Sequence, residues 1–356
     1  MAAAANVTQL PARPARPSLE IGGARRPELE ASLIAMEITD SVDAIGWAEF
    51  TFGNWGGADQ PGFQHFDRKV LEFGKTLVVK IDGGVLFEGR ISAIVADFPD
   101  GGPPTIGVVA EDRLQDLRMT RRTRAFEKES LAGVARKIAS DHKLTPKVNV
   151  QAATVPLIAQ VNQSDLALLL DLARREDAQV WVKGAELHVA AARPDDKVSL
   201  RWAGPLREFH VEADLAHQRS ALVAGGWDVT TKAAAEHKAG ASAVSGEVGS
   251  LDGGAAILGR AFAERVDTLA HGVARNAQEA RAVAEAGYRQ IARRFVSGRG
   301  VADTVPGLAV GAKLALSGLG KLFDGDYRAT SVVHRYDNRE GLRSEFACER
   351  PGLGKP

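Results

Sequence analysis

The sequence predicts a mainly β protein with α/β insertions, built from two related small antiparallel β-barrels plus an inserted α/β region. Three observations support this fold class. Apolar and polar residues alternate in many short segments, a set of landmarks occurs twice, and helical spacing of apolar residues is found in the segments between those landmarks. Alternation with a period of two is typical of half-buried strands, and a spacing of three to four residues is typical of helices.

The landmarks that occur twice describe a β unit. Residues 71–77 and 308–314 both read L-x-x-G-x-x-L, and each begins a strand that ends in a glycine turn. Residues 86–89 and 322–325 both read L-F-acid-G, and further strands follow each. The spacing agrees to within about one residue, the tolerance of loops in repeated units. We interpret the two stretches as an internal duplication; the alternative is a chance likeness between two antiparallel meanders.

Changes of composition along the chain predict its domain organisation. Residues 1–17 are rich in Ala, Pro and Arg and lack the apolar core of a signal peptide. This predicts a flexible N-terminal arm, with ordering on a neighbouring subunit as the alternative. The other expected domains are a first β-barrel at 18–117, an inserted α/β and helical region at 118–197 and 233–299, and a second β-barrel at 198–232 and 300–350.

The inserted region carries the helical patterns. Ser130 is placed as an N-cap ahead of an apolar stripe, because a serine hydroxyl accepts a hydrogen bond from the first turn of a helix, and Ser164 is placed at the start of a second apolar helix. Residues 273–295 predict a long amphipathic helix, and residues 232–256, rich in small residues, predict a mobile loop. The basic run 118–128 is interpreted as an exposed connector rather than a phosphate-binding segment.

Bulk composition excludes several classes of protein. The 356 residues contain 45 Lys or Arg and 45 Asp or Glu, so no net charge attracts the chain to nucleic acid or to an anionic membrane. The single cysteine excludes an intrachain disulfide and a cysteine-rich zinc site. No apolar run approaches the ~20 residues of a membrane-spanning helix, so no membrane anchor is expected.

No motif predicts catalytic, cofactor-binding or metal-ligating residues, and neither enzyme activity nor a cofactor is expected. Residues 318–321 suggest a phosphate loop, but Ala315 and Leu322 occupy positions that require Gly and Ser or Thr. The histidines lack partners at metal-ligand spacing, and G-x-S-x-G is absent. The residues that could otherwise carry chemistry are interpreted as packing or loop residues: His334, Cys348, Asp97, Asp100, Glu111 and Asp112.

A segment in the inserted region resembles a known family pattern. Residues 161–176 read V-N-Q-S-D-L-A-L-L-L-D-L-A-R-R-E, and a hairpin around Trp181 follows. The family pattern is Q-x-N-E-S-D-x-x-F-L-x-R-L-A-x-x-x-G. The chain departs from it at Gln163, Leu168 and Asp177, where the family usually has Glu, an aromatic residue and Gly.

A second segment resembles the same family and indicates which family it is. Residues 325–334, with Gly341 after them, resemble the closing hairpin G-x-Y-x-V-x-x-V-x-H. Because both segments occur in the expected order within 18–350, the chain is similar to the baseplate hub proteins of contractile injection systems. That family includes the phage late control protein D family and the hub portion of VgrG.

The resemblance implies a trimeric hub architecture, in which three copies present six barrels and adapt a sixfold inner tube to a threefold spike. The implied partners are the chain itself in a homotrimer, an inner-tube protein, baseplate wedge proteins and, in a phage, DNA that passes through the lumen. Because the chain ends soon after the second barrel, the spike is expected to be a separate protein. The hub is expected to assemble in the bacterial cytoplasm as a structural component of the tail or baseplate particle.

Two other functions stay open at this point. Residues 130–139 weakly resemble the first helix of a LysM domain, although the preceding G-D-[ST] is absent. A tail protein with a cell-wall-binding module is therefore the first alternative. An α/β enzyme is the second, and it is less favoured because a fold alone does not imply catalysis and the catalytic motifs are missing.

Overall fold

The computed structural model describes residues 16–42, 44–57, 61–193, 197–270 and 273–355. Strands make up 49% and helices 20% of the protein, so the prediction of a mainly β chain with helical insertions is confirmed. The arm expected at 1–17 lies outside the described residues except for its last two. Within the described ranges, no helix is long and apolar enough to cross a membrane.

The first β unit precedes the inserted region and curves around one apolar core. Its elements are, in chain order, β1 (Ser18–Ile21), β2 (Ala24–Arg25), α1 (Pro27–Ser32), β3 (Leu33–Ser41), β4 (Trp47–Gly53), β5 (Trp55–Gly56), β6 (Gly62–Phe63), β7 (Thr76–Ile81), β8 (Gly84–Asp97) and β9 (Thr105–Glu111). In β4, for example, Ala48, Phe50 and Phe52 are buried and the residues between them face outward. The hydrogen-bonded order is β3-β4-β9-β8-β7-β1-β2, with all neighbours antiparallel.

An α/β module with its own core follows the first unit. Its elements are α2 (Leu114–Arg118), β10 (Arg121–Glu129), α3 (Leu131–Asp141), β11 (Thr145–Asn149), β12 (Val155–Ser164), α4 (Asp165–Arg175), β13 (Gln179–Lys183) and β14 (Glu186–Ala190). Ser130 caps α3 as predicted, and Ser164, predicted to begin a helix, caps α4. Their hydroxyl oxygens accept hydrogen bonds from the N–H groups of Gly133 and Ala167, each at 3.2 Å.

The basic run 118–128 is largely exposed, as the sequence predicts, but it is a strand rather than a connector. Most of it forms β10, which pairs with β12. Arg124 on this strand donates a hydrogen bond of 2.8 Å to Asp165, a carboxylate buried at the start of α4. Gln160 and His142 lie 2.8 Å from the same carboxylate. The basic residues were misinterpreted because their acidic partner lies some forty residues away in sequence, on another element.

The second β unit is interrupted by a further insertion. The elements after the α/β module are β15 (Lys197–Arg201), β16 (Leu206–Ala213), β17 (Ala221–Asp228), β18 (Ala233–Gly240), a 3₁₀ turn (Ala241–Val244), α5 (Ser245–Val248), β19 (Asp252–Gly253), α6 (Gly254–Phe262), β20 (Val266–Thr268), α7 (Ala277–Arg293), β21 (Val296–Asp303), β22 (Lys313–Ser317), β23 (Gly325–Asp337), β24 (Gly341–Arg350) and β25 (Gly352–Leu353). The strands of the second unit follow the order β16-β21-β24-β23-β22-β15.

Two expectations for this region differ from the structure. The strand β17, expected in the second barrel, pairs with β18 and β20 and packs with α7 instead. Residues 232–256, expected as a mobile loop, include β18, the 3₁₀ turn and α5. Small residues explain the difference, because Ala239 and Ala284 allow β18 and α7 to approach closely and are both buried between them. The domain boundaries as a whole stay a prediction.

The two β units have the same strand order and share two register shifts, whereas a third shift, between Val79 and Lys80 of β7, occurs in the first unit only. The register shifts between Leu33 and Ala35 in the first unit and between Leu206 and Glu208 in the second. A second shift follows Ile91 in β8 and its counterpart follows Ala329 in β23. The units differ at one edge, since β1 is antiparallel to β7 whereas β15 is parallel to β22. The prediction of a mainly β fold with antiparallel strands and α/β insertions is confirmed; the two stretches predicted as small barrels contribute their strands to one 13-stranded sheet.

The L-x-x-G-x-x-L motif forms the same turn in both units. The N–H of Gly74 donates to the carbonyl of Ile91 at 2.8 Å, and the N–H of Gly311 donates to the carbonyl of Ala329 at 2.9 Å. Both glycines have a positive φ, of +77° and +85°, which a side chain would disfavour. The motif therefore marks a conformation that glycine alone adopts without strain.

The L-F-acid-G motif, in contrast, does not mark equivalent positions. Residues 86–89 lie inside β8, where Gly89 is opposite Leu77. Residues 322–324 lie in the turn before β23, and Gly325 begins that strand opposite Leu316. Because Leu77 and Leu314 are equivalent, the residue that matches Gly89 is Tyr327. The likeness of the two tetrapeptides is a coincidence within a true repeat.

Candidate assembly surface

The two β units are joined edge to edge by β23 and β3. The pairing is antiparallel and runs from Ser331 opposite Ser41 to Asp337 opposite Ala35. Tyr336, on β23, is only 4% exposed and packs in the core of the first unit. The junction therefore makes one sheet of 13 strands from the two units.

The strand β23 pairs with β24 on one side and with two strands, β22 and β3, on the other, because it changes direction. Its first residues, 325–328, pair with β22, and residues 331–337 pair with β3. The register shift between Ala329 and Ser331 separates the two parts, and a bulge of this kind bends a strand. The distal part can therefore leave its own unit and reach the next one.

Charged side chains bridge this junction on the outward face. Arg335 of β23 lies 2.5 Å from Glu37 of β3 and 2.9 Å from Glu345 of β24. Opposite charges directly across two strands stabilise a chosen register, because a slip by two residues separates them. The ion pairs therefore help to fix the alignment of the two units.

Several strands among the described residues keep one side unpaired, and two such segments are the equivalents of the junction strands β3 and β23. The strand β16 pairs with β21 alone among the strands, and its first residue, Leu206, also forms an isolated bridge with Trp202. The distal part of β8, residues 92–97, is hydrogen-bonded to β9, whereas the pairing of β8 with β7 ends at Arg90. An unpaired strand edge presents free N–H and C=O groups and is a template for pairing with another chain.

The outward face of the sheet holds two shallow depressions. The larger has a volume of about 610 Å³ and lies over β16, β21, β24 and β23; its charged and apolar lining includes Glu208, His210, Arg299, Val301, Val333 and Glu345. The smaller, of about 300 Å³, lies over the junction and is lined by Glu37, Glu49, Thr51, Arg335 and Asp337 among others. Acidic and basic groups alternate on this face, so it suits a broad contact or a channel wall better than an enclosed ligand site.

His334 and Cys348 are packing residues in the structure. His334 is buried on β23, and its Nδ1 lies 2.7 Å from the hydroxyl of Ser344. Burial lowers the pKa of His334 to about 4. Cys348 is buried on β24, and burial raises the pKa of its thiol, which keeps it protonated and unreactive.

The burial of His334 predicts a pH dependence of stability. The unfolded chain gains a proton near the ordinary histidine pKa of 6.5, whereas the folded protein resists it down to about pH 4. Stability is therefore complete above pH 6.5 and falls as the pH decreases through this window, by up to about 3 kcal/mol. Urea unfolding at several pH values should give a smaller slope in this window for His334→Gln, whose amide can still bond to Ser344; an unchanged slope would contradict the assignment.

Asp97 and Glu111, two of the acidic residues considered from the sequence, do not come together. Asp97 lies at the far end of β8 opposite Thr105, whereas Glu111 lies at the other end of β9. Burial raises the pKa of Asp112 to about 7. The hydrogen bonds that its carboxylate accepts from the N–H groups of Gly46 and Leu114 act in the opposite direction and lower the pKa, but by less. Asp112 therefore holds a loop and the start of α2 in place.

The glycine-rich turn 318–321 is also closed to an anion. Gly318 and Gly320 both have φ of +85°, as a tight turn between β22 and β23 requires. The N–H of Leu319 donates to the carboxylate of Asp324 at 2.7 Å. Within the part of the chain that the structure describes, no group of three or more His, Cys, Asp and Glu side chains is placed to hold a metal ion.

Sequence reasoning missed the residues of the two free edges. Val95 and Phe98, at the end of β8, are 50% and 63% exposed, and His210 faces outward on β16. A comparison of the two repeats could have found them. Phe98 is a large apolar residue at the end of β8, and its counterpart in the second unit, Tyr336, is buried. An alignment of the units by their register shifts is needed to see it.

Comparison with known families and curated proteins gives one match. The model of the family described as the Alg8 N-terminal domain matches residues 17–338, which is most of the chain. No curated protein matches the sequence.

Solved structures with the same fold cover nearly the whole chain. The 43 kDa tail protein of prophage MuSo2 from Shewanella oneidensis has a TM-score of 0.69 at 14% identity and covers 94% of this chain and 98% of its own. A tail protein from Neisseria meningitidis MC58 has a TM-score of 0.66 at 12% identity, with 96% and 98% covered. The E. coli c3393 protein, described as a component of the type VI secretion system with similarity to the T4 tail proteins gp27 and gp5, has a TM-score of 0.57 at 11% identity, with 95% and 79% covered.

Proposed function

We propose that this chain, which belongs to the Alg8 N-terminal domain family, is a structural baseplate hub of a contractile tail or related injection particle. Three copies would form a ring that adapts a sixfold inner tube to a threefold spike. The role is non-catalytic, since its basis is the geometry of a surface that contacts other subunits. The proposal is more specific than the shared fold, which the solved tail and type VI proteins support.

The observation that carries this proposal is the repeat. Each chain contains two β units with the same strand order and two shared register shifts. Three chains therefore present six nearly equivalent units, which is the number that faces a sixfold tube. The inserted α/β and helical modules occur once per chain and remain threefold, which is the symmetry of a spike.

The proposed partners follow from this symmetry. An inner-tube protein would contact the six β units, a spike protein would contact threefold features, and baseplate wedge proteins would contact the periphery. In a phage, DNA would pass through the lumen along the outward face of the sheet. Assembly would take place in the bacterial cytoplasm, before the hub joins the tail or baseplate particle.

The mass of the native assembly tests the proposal. We expect particles isolated from the native source to contain this chain together with tube and spike subunits. We expect the purified chain, at concentrations that permit assembly, to have three times the chain mass of 37.8 kDa by analytical ultracentrifugation. A chain that stays monomeric or dimeric and is absent from such particles would contradict the hub role.

A further inference from the structure

We propose that copies of this chain join edge to edge, with residues 92–97 of β8 in one copy pairing antiparallel with β16 of the next. The contact repeats between copies the pairing that β23 and β3 make within one chain. The partner is thus a second copy of this chain. The pairing rests on the proposed function for the number of copies in the ring, whereas its register follows from the repeat alone.

The register shift in β8 defines which of its residues correspond to β23. Ile91 lies opposite Ala110 just before the shift in β8, and Ala329 lies opposite Cys348 just before the shift in β23. The residues after the shifts therefore correspond one to one. Asp97 of the first unit is the counterpart of Arg335 of the second, and both stand on the outward face.

The register shift in β3 defines its correspondence to β16 in the same way. Leu33 precedes the shift in β3, and Leu206 precedes the shift in β16. Counting onward from these positions, His210 is the counterpart of Glu37. β3 pairs with β23 within the chain. Its equivalent in the second unit, β16, lies at the end of the same sheet, and the corresponding side of β16 has no strand partner.

The intrachain register transfers to the contact between copies. Arg335 lies opposite Glu37 at the junction within the chain. By correspondence, Asp97 of one copy lies opposite His210 of the next. In the junction the acidic residue is on β3, whereas in the proposed contact it is on β8. In both cases the outward-facing pair joins a carboxylate to a side chain that can donate a hydrogen bond or carry a positive charge. The two edges are therefore complementary to each other.

Burial supports the same pairing on β16. Met36 and Ile38 of β3 are fully buried beneath the strand that covers them. Their counterparts Phe209 and Val211 on β16 pack against the second core but remain partly exposed. A strand added at this edge would cover both residues, as β23 covers the equivalent pair in the first unit.

Burial supports it on β8 as well. Tyr336 of β23 packs in the core of the first unit, opposite Met36. Its counterpart Phe98 is largely exposed and makes edge-on contacts with Phe63 and Phe66 in its own unit. In the proposed contact Phe98 lies opposite Phe209 of the next copy, so two partly exposed aromatic rings would be buried together.

The placement of the edges favours a repeating contact. The distal part of β8 and the free side of β16 belong to opposite halves of one sheet, so the contact is head to tail. A head-to-tail contact between identical chains generates a ring when the rotation closes. Each copy added in this way pairs the distal part of β8 and the free side of β16, which removes the aggregation hazard of these two edges.

The spacing of backbone bonds at the junction selects the positions for a disulfide test. The N–H of Val42 donates to the carbonyl of Thr330 at 3.1 Å, so these opposite residues form a hydrogen-bonded pair. Bonded and non-bonded pairs alternate along an antiparallel ladder, which makes Val333 and Thr39 a non-bonded pair with closer side chains. Residues 95 and 212 occupy the equivalent positions in the proposed contact.

The first experiment is oxidation of the full chain carrying Val95→Cys and Glu212→Cys, in a Cys348→Ala background. We expect a closed covalent ring of three copies on a non-reducing gel, and a covalent dimer when the two single variants are mixed. The matched control is Val333→Cys with Thr39→Cys, which should form a disulfide within one chain and show that the geometry and the fold survive. Each single variant alone should remain uncrosslinked.

The outcomes separate this inference from the proposed function. A trimeric mass without the crosslink, while the intrachain control oxidises, would overturn the edge pairing and leave the hub role standing. A crosslink that closes rings of another size would support the pairing and contradict the threefold hub. A monomer that neither assembles nor crosslinks would contradict both.

A charge exchange gives a second test that does not depend on cysteine geometry. His210→Asp places like charges opposite each other at the contact, and we expect it to raise the concentration needed for half assembly several-fold. Asp97→Lys in the same chain should restore assembly by making the pair opposite in sign again. Both positions are exposed at strand edges, so each variant should fold; a double variant that assembles no better than His210→Asp would contradict the register.

Discussion

Replacing Tyr336 with alanine is expected to lower the free energy of unfolding by about 3–5 kcal/mol, the range for truncating a buried aromatic residue. The ring belongs to the second unit but packs in the core of the first, so its loss leaves a cavity at the junction of the two units. The hydroxyl also donates to the side chain of Asn338 at 3.1 Å, a bond that is lost with it. Urea unfolding followed by fluorescence measures the change.

The repeat supplies a matched control for this substitution. Phe98 is the counterpart of Tyr336 but is 63% exposed in the single chain. Phe98→Ala should therefore cost no more than about 1 kcal/mol in the monomer, from its contacts with Phe63 and Phe66. At assembling concentrations the same variant should weaken the contact between copies. Equal losses for both variants in the monomer would mean that the junction does not bury Tyr336.

The second large effect is expected from Asp165→Asn. The Asp165 carboxylate is fully buried and is contacted by Arg124, Arg122, His142 and Gln160 at 2.8–3.2 Å. The substitution removes the counter-charge of Arg122 and one of the two carboxylates bound by Arg124, which keeps its ion pair with Asp141 at 2.6 Å. Breaking a buried pair costs about 3–5 kcal/mol, and the remaining ion pair places the expected loss at the lower end of that range. The α/β module should lose stability, and thermal unfolding of the full chain should report it.

The pH dependence of this cluster has a definite sign. Burial alone would raise the pKa of Asp165, but the hydrogen bonds from Gln160 and His142 and the charges of Arg124 and Arg122 outweigh it and lower the pKa below its ordinary value of 3.8. The cluster therefore contributes its full stability above that value and loses it as the pH falls through the lower folded pKa. Asp165→Asn should remove this acid dependence.

A control for the Asp165 substitution lies on the same helix. Asp171 is exposed on α4 and has only a long ion pair of 3.8 Å with Arg174 and a hydrogen bond with Gln163. Asp171→Asn should change stability by no more than about 0.5 kcal/mol, as exposed pairs do. If both substitutions cost the same, helix charge rather than the buried network would explain the effect.

The elements of this fold that could be predicted are those with local causes. Ser130 was placed as a cap, and Ser164 at the start of a helix, because a helix start depends on residues within one turn. Gly74 and Gly311 were found as landmarks of the repeated motif, and the structure gives both a positive φ, which selects glycine whatever the surroundings. The mainly β class followed from the alternation of apolar and polar residues along each strand, which indicates that one face of the strand is buried.

The partners of strands could not be predicted in this way. The strand β17 alternates like its neighbours, yet it pairs with β18 and β20 rather than in the second unit. The basic run 118–128 was misplaced for the same reason, because the carboxylate that neutralises Arg124 is brought to it only by the pairing of β10 with β12. A strand carries the same pattern of apolar residues whichever edge it joins.

The sequence by itself determined that this protein is a mainly β chain with a repeated unit, because alternation, glycine turns and serine caps act over a few residues. Only the tertiary structure decided that the two units share one sheet through β23 and β3, and that Tyr336 is buried at that junction while Phe98 is exposed. The reason is physical. A backbone hydrogen bond between strands joins residues far apart in sequence, and the local sequence pattern of one strand does not specify which strand it pairs with.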